Sequence, residues 1–103
     1  MEKFTGVNVI KAANIYFDGK VTSRAVEFSD GSVKTLGIML PGEYEFGTSQ
    51  AELMEITAGF LLVKLPGSDQ WEEVRAGQSF NVPANASFQI SVQQITDYIC
   101  SYL

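Results

Sequence analysis

The chain has 103 residues, of which 46% are hydrophobic, and it carries a net charge of −5 without a single histidine. This length suits one domain over residues 1–103, and the apolar content offsets the entropy lost when the chain orders. The negative charge argues against a nucleic-acid partner, because phosphate backbones attract clustered Lys and Arg. The lack of histidine excludes a His-based catalytic triad and removes the commonest metal ligand.

The single cysteine, Cys100, favours a reducing compartment over the disulfide-stapled framework of a secreted domain. The N-terminus shows no signal-peptide pattern, and no apolar run approaches the ~20 residues that a membrane span needs. We therefore expect a cytoplasmic protein that has no membrane partner. Cys100 lies in an apolar strand, and we interpret its thiol as inert packing.

Short β-rich runs separated by Gly, Pro, Asn or Asp turns make up most of the chain. Residues 1–13 favour a strand that pairs with a neighbour. The runs that follow cover residues 20–28, 33–40, 43–48, 52–58, 60–65, 70–75, 78–82, 87–93 and 96–103. About nine short strands without a long helix predict an all-β sandwich or barrel.

The stretch over residues 41–59 has two strands whose faces differ. Alternation places Tyr44, Phe46 and Thr48 on one side of the first strand, with Glu43 and Glu45 on the other. In the second strand, Glu52 shares a mostly apolar face with Met54, Ile56 and Ala58. An apolar face that carries one polar group predicts a pocket in the inner wall of a small barrel.

This stretch resembles the first signature motif of the cupin superfamily. That motif has two metal-binding His residues two apart, then a ligand Glu, then a Gly after six further residues. Here Phe46 and Thr48 occupy the His positions, while Glu52 and Gly59 keep the spacing. The resemblance therefore extends to the layout of the motif but not to its imidazole ligands.

The second cupin motif is similar to the segment that begins at Gly77. Five residues separate Gly77 from Pro83, Asn85 replaces a customary Gly, and Phe88 occupies the position of the third His. Since Phe cannot coordinate a metal and Thr is a poor ligand, the resemblance implies a single-domain, jelly-roll-like cupin β-barrel with no metal and no cofactor.

A second resemblance covers residues 16–103. The segments YFDGKV, LGIMLPGEYEFGT, ELMEITAG, FNVP and YICSYL are together similar to the small pyrimidine/purine nucleoside phosphorylase family. This resemblance implies an enzyme of broad specificity. Such an enzyme converts purine or pyrimidine ribonucleosides and inorganic phosphate to free base and α-D-ribose 1-phosphate.

Phosphorolysis needs a surface for the base, donors for phosphate, and a group that stabilises positive charge near the ribose. We expect Phe46, Phe80 and Phe88 to form the surface for the base, because stacking on an aromatic ring tolerates any base. Each of these side chains could instead be an ordinary core residue.

The polar candidates lie on the same predicted inner faces. Glu52 is the first catalytic candidate, unless it lies in solvent at the start of its strand. Thr48 is the second, unless its hydroxyl only satisfies a neighbouring main chain. Tyr44, Tyr98 and Tyr102 are candidates for substrate binding, although the last two could instead pack a dimer interface.

For phosphate, the nearest basic or hydroxyl side chains are Lys34, Thr35 and Arg24, in the hairpin before the first motif. A solvated surface charge is the alternative for each cation. We also expect a homodimer, because the N-terminal segment has strand character and no evident partner.

Three other functions stay open. A metal-free cupin could be a non-catalytic module that binds a small molecule. A sugar isomerase or epimerase is a second alternative, although that chemistry commonly uses a His base or a metal. A metal cupin with oxygen ligands is the third.

Overall fold

The computed structural model describes all 103 residues and consists of eleven β-strands and one short 3₁₀ turn over Phe17–Gly19. The all-β prediction is confirmed, and the N-terminal segment forms two strands where one was expected. The strands are β1 Asn8–Val9, β2 Asn14–Tyr16, β3 Val21–Glu27, β4 Val33–Met39, β5 Gly42–Gly47, β6 Glu52–Ala58, β7 Phe60–Lys64, β8 Glu72–Arg75, β9 Ser79–Val82, β10 Ser87–Val92 and β11 Thr96–Tyr102.

The strands form two antiparallel sheets. The large sheet has seven strands in the order β1-β3-β4-β11-β6-β9, with β2 also paired to β3. The small sheet has four strands in the order β5-β10-β7-β8. No hydrogen-bonded ladder closes the two sheets on each other, so the barrel itself stays a prediction.

The N-terminal segment pairs within its own chain. Both β1 and β2 hydrogen-bond to β3, where Val9 pairs with Val26 and Asn14 pairs with Ser23. The expectation of a strand that pairs with a neighbour is confirmed. The argument for a dimer from an unpaired N-terminal strand is wrong, because this strand has a partner.

One apolar core fills the space between the sheets. Its fully buried side chains come from both layers, with Val21, Met39 and Ile56 from the large sheet and Leu61 and Ile90 from the small sheet. Burying each such side chain contributes about 1.5–3 kcal/mol. The core therefore holds the two sheets face to face.

The predicted strand faces agree with the burial of the side chains. In β5, Tyr44 is buried while Glu43 and Glu45 are exposed, and in β6 both Met54 and Ile56 are buried. The inner face of β10 likewise carries Phe88, Ile90 and Val92, all buried. The alternation of residues along these strands was sufficient to predict their inner faces, because each strand buries only one face.

The backbone conformation at Asn85 is one that the glycine of the cupin motif would also adopt readily. Its φ is +55°, in the left-handed region that glycine and asparagine adopt most readily. The loop between β9 and β10 therefore keeps the shape that the motif requires with a different residue.

The model contains no helix with the length and apolar character needed to cross a membrane.

Candidate active site

A cavity of about 190 Å³ lies between the two sheets. Tyr16 and Gly47, both exposed, line it at the surface, so the cavity opens to solvent there. The inner lining comes from four strands of the large sheet, β3, β4, β11 and β6, and from β5 and β10 of the small sheet. The twelve lining residues are Tyr16, Ser23, Thr35, Met39, Phe46, Gly47, Glu52, Met54, Phe88, Tyr98, Cys100 and Tyr102.

The large sheet contributes most of the polar groups. In the antiparallel ladders, Cys100 of β11 pairs with Thr35 of β4 on one side and with Met54 of β6 on the other. Tyr102 pairs with Glu52 in the same way. Directly paired residues project from the same face of a sheet, so these side chains all point into the cavity.

Besides Tyr16 at the opening, four lining side chains carry hydroxyl groups, and we call these four the hydroxyl wall: Ser23, Thr35, Tyr98 and Tyr102. Burial raises the pKa of Tyr98 well above its ordinary value, with the Ser23 hydroxyl offsetting part of the rise. Burial also raises the pKa of Tyr102 to about 12, with Thr35 lowering it. Both phenols therefore stay protonated at neutral pH and can donate hydrogen bonds.

The small sheet contributes an aromatic surface. The rings of Phe46 and Phe88 are stacked, with centroids 5.8 Å apart and planes inclined by 28°. Phe17 packs edge-on against Phe46 at 5.4 Å. A flat apolar surface of this kind, opposite a row of hydroxyls, suits a ligand with a ring at one end and polar groups at the other.

Glu52 is the only charged side chain in the lining. Burial raises the pKa of its carboxyl, and a hydrogen bond from Cys100 offsets part of the rise. In that bond the Cys100 thiol donates to Oε1 of Glu52 at 3.4 Å. Burial, together with the nearby Glu52 charge, raises the pKa of Cys100 to about 12, so the thiol keeps its proton at neutral pH.

Three of the predicted catalytic and substrate-binding residues lie outside the lining. Tyr44 is buried and its hydroxyl donates to the carbonyl oxygen of Leu40 at 2.6 Å. Phe80 is also buried, and its ring supports Phe88 from behind at 6.1 Å. Thr48 donates to the carbonyl oxygen of Pro83 at 2.6 Å and ties the end of β5 to the loop between β9 and β10.

Of the three predicted phosphate ligands, the structure brings only Thr35 to the cavity. Lys34 extends from the other face of β4, with its Nζ 5.6 Å from the centroid of the Phe4 ring. Arg24 is exposed on β3 and donates from Nε to the carbonyl oxygen of Lys11. No Lys or Arg lines the cavity.

Sequence reasoning missed Ser23, Cys100 and Tyr16. A signal existed for Cys100, because it alternates with Tyr98 and Tyr102 and therefore shares their face. Ser23 likewise alternates with buried Val21 on β3. Tyr16 ends the short strand β2, in a segment whose alternation pattern is ambiguous, so alternation did not assign it to the cavity.

Three of the four positions that match the cupin metal ligands come together. Phe46, Glu52 and Phe88 all line the cavity, whereas Thr48 follows β5 and lies outside the lining. No three His, Cys, Asp or Glu side chains cluster anywhere in the structure.

Comparison with known proteins gives two likenesses that extend over nearly the whole chain or all of it. The family model described as pyrimidine/purine nucleoside phosphorylase matches residues 11–102. A protein from Sulfurovum sp. with the same name is 65% identical over 103 residues, which is 100% of both chains.

Solved structures agree with the fold. A crystal structure of an Acinetobacter protein of unknown function is 44% identical, has a TM-score of 0.96 and covers 98% of both chains. A cupin superfamily protein from Desulfitobacterium hafniense is 15% identical with a TM-score of 0.64, covering 100% of this chain and 82% of its own. The second likeness shows that the fold is cupin-like.

Proposed function

The chain belongs to the pyrimidine/purine nucleoside phosphorylase family, and from that premise we propose that the cavity between its sheets cleaves nucleosides with phosphate. The full-length identity of 65% to a protein of that name carries this conclusion. The substrates are purine and pyrimidine ribonucleosides, and the products are free base and α-D-ribose 1-phosphate. The enzyme is thus a pentosyltransferase.

The reaction breaks the bond between C1′ of the ribose and the base nitrogen. A phosphate oxygen bonds to C1′, and the base leaves with the electron pair of the broken bond. Positive charge develops on the ribose ring in the transition state. Groups that are already oriented toward that charge lower the barrier, because they need no reorganisation.

The aromatic surface of Phe46 and Phe88 is proposed to hold the base. Stacking on an aromatic ring contributes about 1–3 kcal/mol per base and does not depend on which base is bound. An apolar cavity of roughly 150 Å³ accommodates a benzene-sized ring. A cavity of about 190 Å³ therefore has room for a base, with the rest of the nucleoside toward the opening.

Glu52 is proposed as the main catalytic residue. Its half-buried carboxylate lies opposite the aromatic surface, where it can stabilise charge on the ribose or accept hydrogen bonds from ribose hydroxyls. Thr48 is proposed to act indirectly, as a positioning residue, because its hydroxyl is engaged by Pro83.

The test is release of free base from inosine and from uridine, with and without phosphate. We expect release from both nucleosides and only when phosphate is present. We also expect Glu52→Gln to lower turnover without unfolding the protein. Glu55→Gln is the matched control, since Glu55 lies on the opposite face of the same strand.

Two outcomes would contradict the proposal. Nucleoside binding without any release of base would indicate a non-catalytic binding module instead. Full turnover in Glu52→Gln would remove Glu52 from the mechanism.

We further propose a homodimer in the cytoplasm with a closed cupin barrel in each copy. The outer face of the large sheet carries exposed apolar side chains, including Val9, Leu36 and Ile38, which favour association with a second copy. The lone buried cysteine suits a reducing compartment. Sedimentation should give a dimer at micromolar concentration, and a monomer would contradict it.

A further inference from the structure

The cavity must admit phosphate if the proposed function is right, yet its only charged side chain is an acid. Lys34 and Arg24 both lie on the outer face of the large sheet, away from the cavity. A phosphate bound in this cavity therefore meets no cation from the same chain. The groups that bind this phosphate must therefore be neutral hydrogen-bond donors and the carboxyl group of Glu52.

The hydroxyl wall supplies those donors. Thr35 is buried in the lining, and its hydroxyl lies beside the phenol of Tyr102, which stays protonated at neutral pH. Tyr98 and Ser23 are a similar pair further along the wall. These hydroxyls face the cavity, whereas those of Tyr44 and Thr48 donate to main-chain carbonyls.

Glu52 adds an acceptor at the edge of this wall. Its Oε1 accepts the Cys100 thiol at 3.4 Å, and no other side chain donates to the carboxylate. Oε2 is thus free to accept a hydrogen bond from a ligand. An ionised carboxylate repels an anion unless that anion carries a proton that it can donate.

We propose that this cavity binds only oxyanions that carry a proton, with the hydroxyls of Thr35 and Tyr102 donating to the anion and Oε2 of Glu52 accepting its proton. The inference rests on the proposed function for the presence of phosphate in the cavity. It adds the rule by which the cavity selects the anion.

Three tetrahedral anions separate the possibilities. At neutral pH inorganic phosphate and arsenate each keep at least one proton, whereas sulfate keeps none. The three ions have similar size and shape. Neutral donors alone would bind all three, while a carboxylate acceptor rejects sulfate, because an unpaired lone pair would face a negatively charged oxygen.

The experiment is calorimetric titration of the full chain with phosphate, arsenate and sulfate at matched ionic strength, without nucleoside. We expect phosphate and arsenate to bind and sulfate to bind at least about tenfold more weakly, the factor that one charged hydrogen bond supplies. Glu52→Gln should bring sulfate affinity to within a few-fold of phosphate, because the amide can donate. Glu55→Gln should retain the wild-type preference.

Thr35→Val separates the donors from the acceptor. This substitution should weaken the binding of phosphate and of arsenate to a similar degree, and sulfate should still bind more weakly than either. Equal affinity for sulfate and phosphate in the wild-type protein would overturn the proposal. A preference for phosphate over sulfate that persists in a folded Glu52→Gln variant would also overturn it. So would a wild-type protein that binds no phosphate at all.

Failure here is distinguishable from failure of the proposed function. Base release could depend on phosphate and yet be inhibited by sulfate, with an inhibition constant similar to the dissociation constant of phosphate. That result would overturn the selection rule and leave the proposed function standing. Selective phosphate binding without release of base would do the reverse.

Discussion

At the scale of single residues, the carboxyl group of Glu52 combines a catalytic position with a cost to stability. Burial raises its pKa above the value it has in the unfolded chain. The folded protein then holds this proton more tightly than the unfolded chain does. By linkage, the associated stability is present below the ordinary Glu pKa and is lost as pH rises through the raised pKa.

Glu52→Gln should therefore raise the thermal midpoint at neutral pH by a few degrees, because the amide removes a partly desolvated charge. The gain should vanish at a pH below the ordinary Glu pKa, where the carboxyl of the wild type is neutral. Thermal unfolding followed by circular dichroism at both pH values measures it. A lower midpoint at neutral pH would show that the Cys100 contact outweighs the cost of burial.

Phe46 gives a second prediction at this scale. Its ring is half of the stacked pair that faces the hydroxyl wall, so Phe46→Ala should weaken binding of purine and pyrimidine nucleosides to a similar degree. For each class of nucleoside, the ratio of kcat/KM values should correspond to a loss of about 1–3 kcal/mol in transition-state stabilisation. Phe28→Ala is the control, because Phe28 packs against Phe4 outside the cavity. A loss confined to one class of base would contradict a stacking role.

The residues in the cavity were predictable wherever strand alternation decided the face. Phe46, Glu52, Phe88, Tyr98 and Tyr102 follow from it and line the cavity. Lys34 and Thr35 show that alternation also rules out one pair of predicted phosphate ligands in a single cavity. Neighbours in a strand project to opposite faces, so once Thr35 is inside, Lys34 must be outside.

At the scale of elements, β11 organises the site because it lies between β4 and β6. Tyr98 of β11 pairs with Gly37 of β4. A Cβ at Gly37 would come within 2.7 Å of the Tyr98 hydroxyl and would also meet the carbonyl oxygen of Thr22. Glycine at this position therefore makes room for the phenol in the cavity wall.

Gly37→Ala should lower the free energy of unfolding by about 1–3 kcal/mol or more, because the methyl group cannot fit without moving main chain. Gly47→Ala is the matched control, since a Cβ there has no neighbour closer than 3.8 Å. Urea denaturation measures both. Equal stability of the two variants would contradict the packing described for Tyr98.

The elements themselves were largely predictable, because Gly, Pro, Asn and Asp separate them clearly. The N-terminal segment was harder, since its asparagines and exposed apolar residues match no single pattern. Its two short strands exist because β3 offers a free edge, a tertiary effect that sequence periodicity does not report.

At the scale of the whole molecule, a cupin-like fold encloses a cavity that two benzyl groups help to line. Phe46 and Phe88 occupy sequence positions at which the cupin motifs have His, and Glu52 occupies that of the ligand Glu. Sequence spacing could predict this layout. It could not predict the free space between the sheets, which depends on how both layers pack.

The most direct test is a crystal structure of the protein soaked with uridine in the absence of phosphate. We expect uracil stacked on Phe46 within the cavity, with the ribose directed toward Glu52 and the hydroxyl wall. Uridine bound elsewhere on the protein, or a cavity that stays closed to it at saturating concentration, would contradict the account.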